Sequence, residues 1–312
     1  MFNFFKEMEV FNNISYTDST HSYLINNKNA ISGTQLIHKL AAPFNDVEVA
    51  QKYAKKNNLD YQDVLNSWSL KNVISTVKGS ILHEFIELHY QKRNQEINAK
   101  IVEEMVRISL KNKETYKKSE SLEKDIIYCT NKILKYRELI IPMIKNFLNE
   151  AKGKLIPIGS EIIIGDEDYL VCGTIDQLFY NTTFDSLEIW DWKTNQSIDL
   201  SSNPKFKKYM SFPVNHLEDC NFNHYSLQLN LYKFIIEKNT SLKVSNLWLT
   251  HFSETLLNKN KESSSEEDDY IVESGNRVII PCANFQKEIK DILEYNKNKK
   301  EIESSKVKGE YI

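Results

Sequence analysis

The sequence predicts an α/β fold, a central mixed β-sheet of about five strands flanked by helices, on three observations. Residues 159–194, GSEIIIGDEDYLVCGTIDQLFYNTTFDSLEIWDWKT, alternate short apolar runs with polar turns, as a strand meander does. Residues 79–91, GSILHEFIELHYQ, and 225–238, YSLQLNLYKFIIEK, repeat apolar residues at helical spacing. Residues 244–252, VSNLWLTHF, and 270–280, YIVESGNRVII, read as further strands that complete the sheet.

In chain order, residues 14–34 form a small hairpin with polar turns at Asp18 to Thr20 and Asn26 to Asn29. Thr34 is placed to cap a helix over QLIHKLAA that Pro43 ends. Residues 46–77 carry broken helical periodicity, with Trp68 and Leu70 packed. In 79–91, which has Ser80 near its start, Leu82, Phe85, Ile86 and Leu88 make the buried stripe, and His83, Glu87 and Tyr90 share another face. Taken alone, His83 reads as a surface histidine paired with Glu87. Residues 92–150 hold at least two helices, ending before a turn at Gly153, and Lys111, Lys113, Lys117, Lys118 and Lys124 form a basic strip. Such a strip is ordinarily a solvated helix face; the alternative is a helical insert that covers or threads a nucleic-acid strand.

After Lys193 comes a loop with a basic tip at Lys205, Lys207 and Lys208. His216, Cys220 and His224 recur every fourth residue there, but the stretch lacks a helical pattern and a fourth ligand, so zinc is not expected. In 225–238, Leu227, Leu231, Phe234 and Ile235 are buried, with Gln228 and Tyr232 one turn apart on a neighbouring face. The acidic run from Glu262 to Asp269 is expected as a solvated loop, and a terminal helix from Ala283 as the last element, frayed at its lysine-rich end.

The 312 residues, 41% hydrophobic and 27% charged, are read as a single domain spanning 1–312. A net charge of -3 excludes coating nucleic acid by bulk electrostatics and leaves room for a local basic groove. Cys129, Cys172, Cys220 and Cys282 form no CxxC pair, which points to a reducing compartment without a disulfide framework. Lys6, Glu7 and Glu9 interrupt the N-terminal apolar residues, so no secretory signal is expected, and no apolar run is long enough to span a membrane. There is no internal repeat, no phosphate loop and no serine nucleophile elbow.

The chemistry lies in the meander. Asp176 follows Val171, Cys172 and Ile175, and Asp191 sits between Trp190 and Trp192. A carboxylate among apolar strand residues carries a large desolvation cost unless a cation or hydrogen bonds compensate it. Asp191 and Lys193, two residues apart on a strand, point to the same face. If the Asp176 and Asp191 segments pair across a turn near Asn181 to Ser186, the two acids converge on a site suited to a hard divalent cation.

The series GSILHEFIE, Glu161, GTIDQL, WDWKT and QLNLY resembles, in order and spacing, the RecB-like branch of the PD-(D/E)XK nuclease superfamily. The opening hairpin and SGTQLI look like the N-terminal part of its phage-type and mitochondrial genome maintenance exonuclease-like members. The resemblance covers, with gaps, about residue 14 to about residue 295. It implies a restriction-endonuclease-like core over 159–295 with the 79–91 helix. It makes His83 and Asp176 metal ligands, puts Asp191 at the D/E position of the signature, adds the Trp192 backbone carbonyl as a further oxygen, and makes Lys193 the catalytic lysine. Gln228 and Tyr232 become a pair that braces the centre and touches the scissile strand, and Glu161 a frequently acidic position on the first core strand. Ile175 stands where other superfamily members carry proline. Some relatives hold an iron-sulfur cluster on four cysteines; the four here do not match that arrangement, and no cluster is expected.

The residue types agree with phosphodiester hydrolysis. One or two Mg²⁺ or Mn²⁺ ions on Asp176 and Asp191 would act as Lewis acids, and the nitrogen of His83 favours Mn²⁺ being at least as active as Mg²⁺. Beside a bound metal and another cationic environment, Lys193 is expected to have a lowered pKa suited to orienting or deprotonating water, or else only to stabilise charge. The expectation is a metal-dependent DNase, an exonuclease preferring single-stranded DNA with free ends, in phage-type replication, recombination or repair, with Tyr90, Tyr209 and Phe212 available for base stacking. A structure-specific or nicking endonuclease, an RNA substrate, and a non-catalytic DNA-binding subunit of a recombination assembly are the alternatives. Against the last, a pure binder has no physical need of the lysine. A helicase or recombination protein as partner, no membrane, and a cytoplasmic location in a bacterial or phage-infected cell, organellar or nuclear in a eukaryote, complete the reading.

Overall fold

The computed structural model describes residues 4–17, 20, 22–93, 98–117, 121–258 and 270–309. Helix α1 (Phe4–Met8) and a 3-10 turn (Glu9–Phe11) lead into strands β1 (Ile14–Thr17), β2 (Ser22–Ile25) and β3 (Lys28–Ser32). The expected hairpin is therefore a three-stranded antiparallel ribbon. Asn26 and Asn27, at φ 48° and 61°, supply the left-handed pair that a two-residue β-turn requires. Asp18, at the other expected turn, lies outside the described residues, as does Lys118 of the basic strip. Helix α2 (Gly33–His38) is capped by Ser32, not Thr34: Ser32 Oγ accepts from the Gln35 amide while the Gln35 side chain accepts from the Ser32 amide. That reciprocal pair fixes the helix start and frees the Thr34 hydroxyl for another partner.

Helices α3 (Asp46–Asn57), α4 (Tyr61–Tyr90), α5 (Ala99–Lys111) and α6 (Leu122–Ala151) follow. The 79–91 stretch is not a separate helix. It is the end of α4, which begins at an Asp60 cap accepting from the Gln62 and Asp63 amides, so Gly79 and Ser80 are interior. The periodicity looked broken because the buried stripe changes partner along the helix. Val73, Val77 and Ile81 pack with α5 and α6, whereas Leu82 and Ile86 pack against sheet residues Phe179, Trp190 and Trp192.

The remaining elements are β4 (Leu155–Asp166), β5 (Val171–Asn181), β6 (Ser186–Lys193), α7 (Asn221–Asn239), β7 (Val244–Asn258), β8 (Tyr270–Pro281) and α8 (Gln286–Gly309). The sheet has eight strands rather than about five, in the order β1-β2-β3-β5-β6-β7-β8 with β4 also on β5. The N-terminal ribbon joins it because Ile31 and Ser32 of β3 run parallel to Val171 and Cys172. Helices α2, α7 and α8 cover one face through Leu227, Leu231, Ile235 and Ile289; α4 and α6 cover the other through Leu82, Ile86, Ile144 and Phe147. Residues 92–150 are thus only in part an insert. The second half of α6 is a layer of the core, with the Tyr136 hydroxyl donating to the Phe252 carbonyl at 3.0 Å. Helix α8 continues through the lysine-rich stretch to Gly309, where fraying was expected. The acidic run 262–269 lies outside the described residues. No helix among the described residues is long and apolar enough to cross a membrane.

Candidate active site

A fork in the sheet creates the site. Strands β5 and β6 pair antiparallel from Asn181↔Ser186 to Gln177↔Trp190, and there the ladder ends, while β6 continues in parallel register with β7 to Lys193↔His251. The Trp192 amide, left without a β5 carbonyl, donates instead to Oδ2 of Asp176 at 2.9 Å. One carboxylate thus satisfies the backbone where the strands part.

On the other side of β5, strand β4 carries an irregularity. Gln177, fully buried, donates to the Gly159 carbonyl at 3.0 Å and accepts from Ser160 Oγ at 2.6 Å. The next residue, Glu161, has φ 52°, a left-handed conformation uncommon for a residue with a side chain. Such strain persists where the surroundings over-determine it, and here it delivers Glu161 to His83. His83 comes from α4, held by Leu82 and Ile86 against the sheet. Its Nδ1 stands 3.2 Å from Glu161 Oε1, and its Nε2 stands 3.2 Å from the Trp192 carbonyl and 3.6 Å from Asp176 Oδ2.

Ligand atoms of His83, Glu161 and Asp176 all lie within 4.8 Å of one another. One imidazole nitrogen, two carboxylates and a nearby carbonyl form an oxygen-rich set that fits a hard divalent cation. Burial works against a charge on His83, but Asp176 and Glu161 override it and raise its pKa to about 9. Without a cation, the imidazolium balances the two acids.

Asp191 lies beside that group and is paired with Lys193. Its Oδ2 is 2.6 Å from Lys193 Nζ, a close ion pair whose carboxylate is buried. Burial raises the Asp191 pKa to about 7 against the pull of Lys193. In the ion-free site burial opposes the Lys193 charge, but the Asp191 and Asp176 carboxylates outweigh it and raise the pKa of the amine; the expected lowering belongs to the cation-loaded site. Tyr225, which sequence reasoning passed over, completes the surroundings of the lysine. Its ring centroid lies 4.4 Å from Nζ, a cation-π contact in a desolvated site. The signal was available, because Tyr225 shares a helix face with Gln228 and Tyr232.

Helix α7 braces the fork from the opposite face. Gln228 Nε2 donates to the Tyr232 hydroxyl at 2.7 Å and to the Thr34 hydroxyl at 3.2 Å, the partner that the Ser32 cap leaves free. The buried Tyr232 ring requires glycine at 173: a Cβ there would lie 2.2 Å from its Cε1 and 2.9 Å from its hydroxyl. The glycine of GTIDQL and the tyrosine of QLNLY are one contact.

A family model of the PD-(D/E)XK nuclease superfamily matches residues 58–304. The chain belongs to that superfamily. Membership carries with it nuclease chemistry supported by a divalent metal ion, and the matched span contains every residue of the fork. No curated protein matches the chain.

Other expected positions fall elsewhere. His216 pairs with Glu288 and His224 with Asp219, so the two histidines face different acids. Tyr90 is half-buried, its ring packed T-shaped with Phe179 at a centroid distance of 5.7 Å. Tyr209 and Phe212 are exposed. Cys129, Cys172, Cys220 and Cys282 lie on α6, on β5, at the start of α7 and after β8.

Proposed function

We propose that this chain is a metal-dependent deoxyribonuclease of the RecB-like branch, an exonuclease that prefers single-stranded DNA with a free end and serves replication, recombination or repair in a phage-type setting. The observation that carries the reading is the convergence of His83, Glu161 and Asp176 beside the Asp191–Lys193 pair, with Trp192 linking the two groups. His83, Glu161, Asp176, the Trp192 carbonyl and Asp191 are the groups that would hold one or two Mg²⁺ or Mn²⁺ ions. When bound, such an ion supplies Lewis acidity toward a phosphoryl oxygen and makes water easier to deprotonate.

Lys193 is the catalytic lysine of this reading. Its amine is suited to stabilising the negative charge that builds on the phosphoryl group and to orienting or deprotonating the attacking water. Asp191 and Tyr225 fix the amine. Gln228 and Tyr232 keep the β5 side of the fork rigid; the half-buried Gln228 offers its amide toward the scissile strand, whereas Tyr232, expected to touch that strand too, is buried and only braces. Preference for a free end is supported by the family resemblance and by the helices of 92–150 beside α4. The same resemblance points to work in the cytoplasm of a bacterial or phage-infected cell, with a helicase or recombination protein as partner.

The test offers end-labelled linear single-stranded DNA and a closed circle of the same sequence, each with Mg²⁺, Mn²⁺ or EDTA. Degradation of the linear strand alone, abolished by EDTA, is expected, and the label reports the end of entry. Cutting of the circle would make the enzyme an endonuclease; binding without cleavage of either DNA would favour a non-catalytic subunit.

A further inference from the structure

The loop joining β6 to α7 spans residues 194–220 and exposes four large apolar side chains. Leu200, Phe206, Tyr209 and Phe212 are 65%, 73%, 49% and 64% accessible. Singly such side chains are ordinary surface, but four on one loop make a candidate contact surface. The loop is nevertheless pinned. The Ser202 amide and hydroxyl both donate to Glu218 Oε2, the Met210 amide donates to the Leu217 carbonyl, and the Ser211 amide donates to the Leu40 carbonyl at 2.7 Å. Met210 and Val214 point inward and are buried. The fold thus holds these side chains in place outside its buried core, Phe212 with its ring packed T-shaped against Tyr295 of α8, centroids 5.2 Å apart.

Charge selects the partner. Glu218 faces the loop interior and Lys207, and Asp219 accepts from the Ala42 amide. Lys205 and Lys208 make no ion pair among the described residues. Rings interleaved with unpaired lysines match a single nucleic-acid strand, whose bases stack and whose phosphates are anionic. The loop also starts immediately after Lys193 and returns through α7 at Tyr225, so both its ends are fixed at the proposed catalytic centre.

We infer that this loop is a single-strand grip that stacks bases on Phe206, Tyr209 and Phe212, aligns phosphates on Lys205 and Lys208, and feeds the strand toward Lys193. The inference rests on the nuclease reading for its direction. Its test scores binding without cleavage: anisotropy of a fluorescein-labelled 20-nucleotide oligothymidylate with full-length Lys193→Ala protein in Mg²⁺.

Adding Phe206→Ala or Tyr209→Ala to that protein is expected to weaken binding about fivefold or more for each ring, with an unchanged melting temperature because both side chains are exposed. Lys205→Gln with Lys208→Gln is expected to flatten the slope of log affinity against log salt by about 1.4, the release expected for two phosphate contacts on a single strand. Affinity within about twofold of the parent in both ring variants would overturn the inference. So would self-association of the wild type that Phe206→Ala abolishes while strand binding persists, since the rings would then serve a contact between copies. An inactive protein that binds through this loop would keep the grip and remove the nuclease; an active one whose binding ignores the loop would do the reverse.

Discussion

His83 and Asp191 both hold protons more tightly in the folded chain than in an unfolded one. For His83, at about 9 against an ordinary 6.5, the stabilisation is complete below about pH 6.5 and disappears as pH rises through 9. For Asp191, whose pKa burial raises above its ordinary 3.8, the direction is the same: the ionised form is the less stable one, so stability falls as pH rises out of the acid range. The ion-free fold therefore loses stability from acid toward alkaline pH on account of these two groups. A divalent cation replaces the protons, so the rise in melting temperature on adding Mg²⁺ should grow between pH 6 and pH 9; a rise independent of pH would contradict this. A second expectation concerns Tyr225. Tyr225→Phe, which keeps the ring over Lys193, should leave turnover within about twofold, whereas Tyr225→Leu should lower it about tenfold; equal effects of the two would show that the ring face is not what matters. At this scale the sequence was legible where a carboxylate had no neighbour to satisfy it. Glu188 shows why burial alone is a poor guide: it is buried too, but Asn181, Asn246 and Trp190 all donate to it. Glu161 was the harder residue, because its role depends on a φ of 52° that Gln177 and Ser160 maintain from neighbouring positions.

Elements β5 and α7 are fitted to each other through Gly173 and Tyr232. Gly173→Ala should cost about 1–3 kcal/mol in chemical denaturation, as overpacking of a filled core does, and should lower cleavage by displacing the tyrosine. A cost below about 0.5 kcal/mol would mean that the ring is freer than its buried position indicates. Strands β4 to β8 and helix α7 were readable because period-2 and period-3.6 patterns hold through them. The start of α4 was not, because Val73 and Leu82 face different neighbours and the stripe drifts. The cap of α2 was misplaced by two residues, from Ser32 to Thr34, since both residues are competent caps and only the reciprocal Gln35 bond decides.

Across the whole molecule, a mixed sheet with helices on both faces presents the fork to α4 from one layer and to α7 from the other. Long-range pairing explains what sequence alone left out. The parallel contact between β3 and β5, 140 positions apart at Ile31↔Val171, turned a separate hairpin into sheet strands. The packing of α6 on β7 and β8 likewise turned part of an expected insert into core. The central claim is that Lys193 acts in cleavage beside a cation site made by other residues. It is tested most directly by measuring, in the same preparation of Lys193→Ala, Mn²⁺ affinity by calorimetry and the initial rate on an end-labelled single strand. The expected result is cation affinity within a few-fold of wild type with cleavage abolished; near-normal turnover in that variant would contradict the assignment.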